Sequence, residues 1–403
     1  MRAADGQGLV AGGRGRDMNT TAAFAGLRCT DCGTTHDPAA AGRCPECGGL
    51  LDAVYDHDGD VEFSGHGLGR YAPLLPFRRE ALVSLEAGGT PLVAVPALAD
   101  ELGVAAAYVK DEGRNATGAF VDRGVALAVT AASEAGASDV ALPTTGNGGQ
   151  AAAAHAARAG LASHSFVPSR TPFVNKAMIN VHGGDMTVVE GRYPDARAAF
   201  EDQGEDWYSL APFENPYRHE GAKTLAYELA EAVDLDGAPD AVVHPTAHGT
   251  GAVGLHKGFR DLRKHNRVDA APRLYAVQPE GCAPVVDAVE REAETVTAVE
   301  HPDTICGPLE VSEPTGGRQV LEALRASGGG AAAVSDDALL EGATDLAAGG
   351  LTMGATGGAA VAGARRLADR GAFDPDDIVV LVNPTTGNKE EDILRSHLMK
   401  QGI

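Results

Sequence analysis

Four cysteines offer the clearest chemistry in this chain. Cys29 and Cys32 are followed by eleven residues and then by Cys44 and Cys47. Two C-x-x-C knuckles at this separation can close on one tetrahedral zinc. Four sulfurs leave no open position for a reaction, so the expectation is a structural Zn²⁺ held by Cys29, Cys32, Cys44 and Cys47. His36, between the knuckles, reads as a solvated loop residue. The other two cysteines, Cys282 and Cys306, are isolated in the sequence and read as small buried apolar groups rather than nucleophiles. A second kind of chemistry is offered by the turn Thr144-Thr145-Gly146-Asn147, between an apolar run and an alanine-rich stretch. Such a turn presents backbone N–H groups and the positive end of a helix to an anion. The alternative is an ordinary strand-to-helix turn in which Asn147 caps the helix.

These groups need a scaffold. From residue 80 onward, short β-branched runs alternate with alanine-rich stretches of helical length. Strands are expected at Val140–Pro143, Ser165–Val167, Thr187–Val189, Ala241–His244, Leu274–Gln278 and Ile378–Val382, and a helix at Gly149–Ala159. Strand–helix alternation implies an α/β fold of mostly parallel sheets covered on both faces. Such sheets bind ligands at the carboxyl ends of their strands, where the glycine-bearing turns lie.

Composition limits the partners. The chain has 403 residues and a net charge of −23, from 56 acidic and 33 basic residues. Only seven of the basic residues are lysines. No nucleic-acid partner is expected, because phosphate contacts need a basic face. No apolar run is long enough to span a membrane. So acidic a surface repels itself in dilute buffer and is relieved by salt, which suggests a saline cytoplasm. The cysteine pattern also suits a reducing, cytoplasmic location. Residues 1–24, rich in Gly, Ala and Arg without an apolar stretch, read as a disordered leader, and Met18 as a possible alternative start.

Several blocks, in order, resemble the threonine-synthase branch of the fold-type II pyridoxal-phosphate (PLP) enzymes. Ser84-Leu85-Glu86-Ala87-Gly88-Gly89-Thr90-Pro91-Leu92 is similar to that family's S-L-G-E-G-x-T-P-L. Val109-Lys110-Asp111-Glu112-Gly113-Arg114-Asn115 resembles V-K-D-E-G-x-N, and Thr144–Asn147 resembles S-T-G-N. Asn215–Arg218, Glu220–Thr224 and Lys257–Leu262 resemble further blocks. The resemblance implies a two-domain, three-layer α/β/α architecture with an N-terminal zinc ribbon. The ribbon would span 25–56, the larger domain 60–117 plus 214–403, and the smaller domain 118–213, with the site in the cleft between them.

One departure dominates. Where the family reads P-T-G-S-F-K-D-R, this chain reads Ala116-Thr117-Gly118-Ala119-Phe120-Val121-Asp122-Arg123. The family's lysine carries the cofactor imine, and valine has no amine. By resemblance, Asn147 would meet the cofactor's ring hydroxyl. Gly249, Thr250 and Gly251 would meet its phosphate, in a loop where Ala247 and Thr250 replace family glycines. Thr386, in the turn Asn383–Lys389, would meet the ring nitrogen. Gly354 stands where the family usually has Glu-Pro. Lys110, Lys223 and Lys257 are the lysines weighed as substitutes for the missing amine. No catalytic residue is assigned. PLP is expected, if bound, without a lysine imine.

The implied function is a threonine synthase-like paralogue, inactive or diverged, that binds a small anionic metabolite, an amino acid or a protein partner. The alternative is a working lyase acting on O-phosphohomoserine, serine or threonine. Assembly into a homo-oligomer, or with an active paralogue, is a further expectation.

Overall fold

Thirteen strands form in the computed structural model, which describes residues 18–400 and 402 apart from 41, 57–58, 233–234 and 236. Most of the expected leader and the choice of start therefore lie outside the described residues. The remainder of that leader is placed: the Thr21 hydroxyl donates to the Leu75 carbonyl at 2.7 Å, and the first strand begins at Phe24.

Strands β1 (Phe24–Cys29), β2 (Thr35–His36) and β3 (Leu51–Tyr55) make a small antiparallel sheet in the order β2-β1-β3. It is joined to the body of the protein through buried charge. Asp52 accepts from His219 at 2.8 Å and pairs with Lys257, which also meets Glu220 at 2.5 Å. Burial opposes ionisation of Glu220, yet the ammonium groups of Lys223 and Lys257 hold its carboxyl at about 2. Asp52, His219 and Glu220 lie close enough to share an ion, but these ammonium groups already neutralise the carboxylates.

The body contains two further sheets. β4 (Leu92–Ala94), β5 (Ala106–Asp111), β10 (Ala241–Pro245), β11 (Arg273–Pro279), β12 (Gly330–Val334) and β13 (Ile378–Asn383) run in the order β12-β11-β10-β13-β5-β4. All their pairings are parallel except β4 with β5. The other sheet is parallel, in the order β8-β7-β6-β9, from β6 (Asp139–Pro143), β7 (Ala162–Pro168), β8 (Asp185–Val189) and β9 (Tyr208–Ser209). It falls wholly inside 118–213, while the six-stranded sheet draws on chain from both sides of that segment. The central strands β10 and β13 are almost fully buried, as strands covered on both faces must be.

Two helices bring the sheets together. Helix Val121–Ala135 crosses helix Tyr217–Ala222 so closely that a Cβ on Gly124 would strike the Arg218 carbonyl, and one on Gly221 the Arg123 carbonyl. Arg123, fully buried, is held at 2.6 Å by both Glu112 and Glu228, and Lys110 meets Glu228 at 2.6 Å. An unpaired charge here would be costly, so this network fixes the start of the Val121 helix against the end of β5.

Candidate active-site cleft

The carboxyl ends of β6, β10 and β13 face one cleft. Its walls include Ala119, Phe120, Val121, Asn147, Arg218, His244, the loop 245–251, Thr356, Pro384 and Thr385. About 640 Å³ is free of atoms, counting the open mouth. Val121 contributes only methyl groups.

Asn147 does not cap its helix. Gly146 is the N-cap residue, and the Thr144 hydroxyl accepts from the Gly146 and Gly149 amides at 3.0 and 3.2 Å. The Asn147 side chain instead accepts a hydrogen bond from Lys389 Nζ at 3.0 Å. Gly249 has φ of +98° and caps helix Thr250–Lys264, so Thr250 and Gly251 open the first turn beside the cleft. Amides in a first turn have no partner within the helix, and the dipole favours an anion there. The His244 ring packs so closely on Gly251 that a Cβ there would overlap it. Both His244 ring nitrogens lack a partner among the described residues, and burial pulls the ring down to about 4. Burial likewise takes His248 down to about 3.

The turn after β13 departs from expectation. Thr385 lines the cleft with a buried, unpartnered hydroxyl, whereas Thr386 packs against Gly113 and Gly118. Lys389, named only as the end of this turn, and Glu390, which the sequence did not single out, stand next to each other here. Lys389 is buried, which pulls its ammonium down to about 8. The Glu390 carboxylate accepts from the Thr356 amide at 3.2 Å and its hydroxyl at 2.8 Å. One of its oxygens lies 2.5 Å from where a Cβ on Gly354 would sit. Glu390 thus fills the space that Gly354 leaves open, and burial raises its carboxyl above the usual range.

Arg218 was noted only as part of a motif. The residue is 3% exposed, its guanidinium donates to the Leu210 carbonyl at 2.7 Å, and no carboxylate pairs with it among the described residues. Burial pulls it down to about 10. A buried cation without a counter-charge is a receptor for an anion.

The three lysines weighed as substitutes are committed elsewhere. Lys110 pairs with Glu228, Lys223 with Glu220 and Asp261, and Lys257 with Asp52 and Glu220. Cys282 and Cys306 are fully buried, and burial raises both thiols, Cys282 to about 12.

The four knuckle cysteines converge, with all their sulfurs within 4.8 Å of one another. His36 is not a solvated loop residue: it lies on β2, its Nε2 3.2 Å from Cys44 Sγ. No described helix is long and apolar enough to cross a membrane.

Residues 83–385 match the family described as pyridoxal-phosphate dependent enzymes. The chain is 35% identical over 377 residues to a threonine synthase of Methanosarcina acetivorans, covering 91% of this chain and 92% of that one. It is 32% identical to a threonine synthase of Methanocaldococcus jannaschii, over 91% and 93% of the two chains. Its fold is similar to a solved L-serine ammonia-lyase from Rhizomucor miehei (TM-score 0.67, 20% identity, 77% of this chain and 98% of that one). It is also similar to a threonine deaminase isoform from Solanum lycopersicum (TM-score 0.65, 19% identity, 86% and 92%).

Proposed function

This chain belongs to the pyridoxal-phosphate dependent enzyme family, in its threonine synthase-like branch, and we propose that it is a catalytically diverged member. In this reading it holds the cofactor without a covalent bond at residue 121 and binds a small anionic amino acid beside it. The observation that carries the reading is the buried Arg218 guanidinium in the cleft wall, which has no carboxylate partner among the described residues. An anionic ligand would supply that partner.

The residues present fit the cofactor. Unpartnered buried polar atoms of Arg218, His244 and Thr385 line the same cleft as a free helix N-terminus. Gly249, Thr250 and Gly251 would take its phosphate, Thr385 its ring nitrogen and Asn147 its hydroxyl. When bound, the cofactor supplies an electron-withdrawing ring that stabilises negative charge beside an amino group. Arg218 would orient the anionic group of the amino acid. His244, held neutral by burial, would accept a proton at a ring nitrogen.

We extend the proposal to the rest of the chain. The four cysteines hold one structural Zn²⁺, the acidic surface serves a saline cytoplasm, and the chain assembles with itself or with an active paralogue. Equilibrium dialysis with pyridoxal 5′-phosphate tests the central claim. Retention in the wild type is expected, with O-phosphohomoserine raising the melting temperature of the loaded protein. In Arg218→Leu that second rise should vanish. Wild-type protein that retains no cofactor would overturn the reading.

A further inference from the structure

A lysine and a carboxylate stand side by side on the turn after β13, and neither is explained by a cleft that only binds. Lys389 Nζ lies 3.0 Å from Oδ1 of Asn147, a residue of the cleft wall. Nearby charge does not claim it. The Asp122 carboxylate is occupied by the Thr117 amide and hydroxyl and by His155 Nε2, at 2.9 to 3.1 Å. Glu390 is turned to Thr356. His182 also faces this region, and burial pulls its ring below the usual histidine range. The sole side-chain partner of Lys389 among the described residues is thus a neutral amide.

That environment differs from that of Lys110, Lys223 and Lys257. Each of those nitrogens is engaged by at least one carboxylate in an ion pair. Lys389 is buried with no ion pair among the described residues, and burial makes its neutral amine more accessible than that of a solvated lysine. A neutral amine beside a cofactor cleft is the chemistry a carbonyl group requires.

We propose that Lys389 is the carbonyl-reactive amine of this cleft, standing in for the lysine absent at position 121. The inference rests on cofactor binding in the cleft as proposed above. The Nζ lone pair adds to the aldehyde carbon of the cofactor. The nitrogen gives up two protons, the carbonyl oxygen leaves with them as water, and a C=N bond replaces C=O. No oxidant or reductant enters. The carbon that reacts must come to the Asn147 side of the cleft, and Lys389 releases its hydrogen bond to Asn147 as it swings.

The full-length protein is equilibrated with pyridoxal 5′-phosphate, dialysed, reduced with cyanoborohydride and mapped by peptide mass. The expected result is a phosphopyridoxyl group on Lys389 in most of the molecules that retain the cofactor. The initial rate of labelling should rise on the order of tenfold between pH 7 and 9, as the neutral fraction grows. Lys389→Arg keeps a cation and a donor for Asn147. It should lose at least about nine-tenths of the label while retaining cofactor on dialysis. Retention with no label, or with the label on another lysine, overturns this inference and leaves the binding proposal standing. No retention at all overturns both. The wild-type map decides even if the variant fails to fold.

Discussion

Lys389 Nζ and Asn147 Oδ1 lie 3.0 Å apart although 242 residues separate them in the chain. The bond ties the turn after β13 to the first residue of the helix that follows β6, so it links the six-stranded sheet to the four-stranded one beside the cleft. Asn147 accepts without adding charge. Asn147→Asp would place a carboxylate at the same distance and favour the ammonium form of Lys389. The pH at which Lys389 becomes half-labelled by an aldehyde should then rise by about one to two units. An unchanged profile would mean that the two groups do not meet in solution.

Much of the scaffold was legible because its signal is local. Each of the six expected strands falls within an observed one, such as Ile378–Val382 within Ile378–Asn383, a buried parallel strand that reads as an unbroken β-branched run. The turn ending at Asn147 and the loop carrying Gly249, Thr250 and Gly251 do line the cleft. Their roles toward a ligand came from a resemblance and not from patterning. What stayed hidden depends on long-range approach. Nothing near residue 389 tells that its side chain meets residue 147, or that Glu390 refills the space above Gly354. Thr385 and Thr386 are adjacent and chemically identical, so only the backbone of the turn decides which of them lines the cleft. Asn147 was open to two readings; it does not cap its helix, because Gly146 is the N-cap residue and the Thr144 hydroxyl takes the first amides.

The cysteine cluster predicts a metal. Cys29 and Cys47 sulfurs are 3.4 Å apart, and Cys32 and Cys44 sulfurs 3.7 Å. A tetrahedron with Zn–S bonds of about 2.3 Å has edges close to those separations. One equivalent of zinc is expected by elemental analysis, with Cys29→Ser losing most of it. Because Arg318 reaches Asp31 beside the knuckle, zinc removal should also loosen the Gly317–Ser327 helix toward proteolysis. Metal-free wild-type protein with an unchanged melting temperature would contradict this.

Salt should stabilise the fold. The net charge of −23 leaves unpaired carboxylates on the surface, and their repulsion fades once the screening length falls to about 3 Å at 1 M. Buried pairs such as Arg123 with Glu112 are screened far less, so they survive the same change. The melting temperature is expected to climb from dilute buffer to molar KCl. A flat or falling curve would argue against a saline habitat.

Acid should act through His244. Burial holds its ring at about 4, so it stays neutral in the folded chain, whereas an unfolded chain protonates it near pH 6.5. The unfolded state therefore binds more protons between about pH 6.5 and 4, and stability falls as the pH drops through that window. At pH 5 the difference is on the order of 2 kcal/mol. His244→Val removes it. The variant should lose less stability than wild type between pH 7 and 5 in urea titrations, and parallel losses would show that the ring is solvated.

Restoring an amine at the family position is the sharpest test of how far the cleft has changed. Val121 opens the Val121–Ala135 helix and lines the cleft, so a lysine introduced there has a route to a bound aldehyde. If the missing amine were the only lesion, Val121→Lys would produce substantial turnover of O-phosphohomoserine. The surroundings point the other way. The His244 ring presses on Gly251, in the first turn that would hold the phosphate. Ala247 and Thr250 carry side chains in the same loop, and Glu390 occupies the space above Gly354. A cofactor displaced by about 1 Å can cost on the order of 10²-fold in rate. Val121→Lys is therefore expected to take a share of the borohydride-trapped label from Lys389 yet to give little turnover. Adding Lys389→Met should move the remaining label to position 121 without raising the rate. Robust turnover by the single variant would show that the pocket still aligns the cofactor and that valine at 121 is the whole of the divergence.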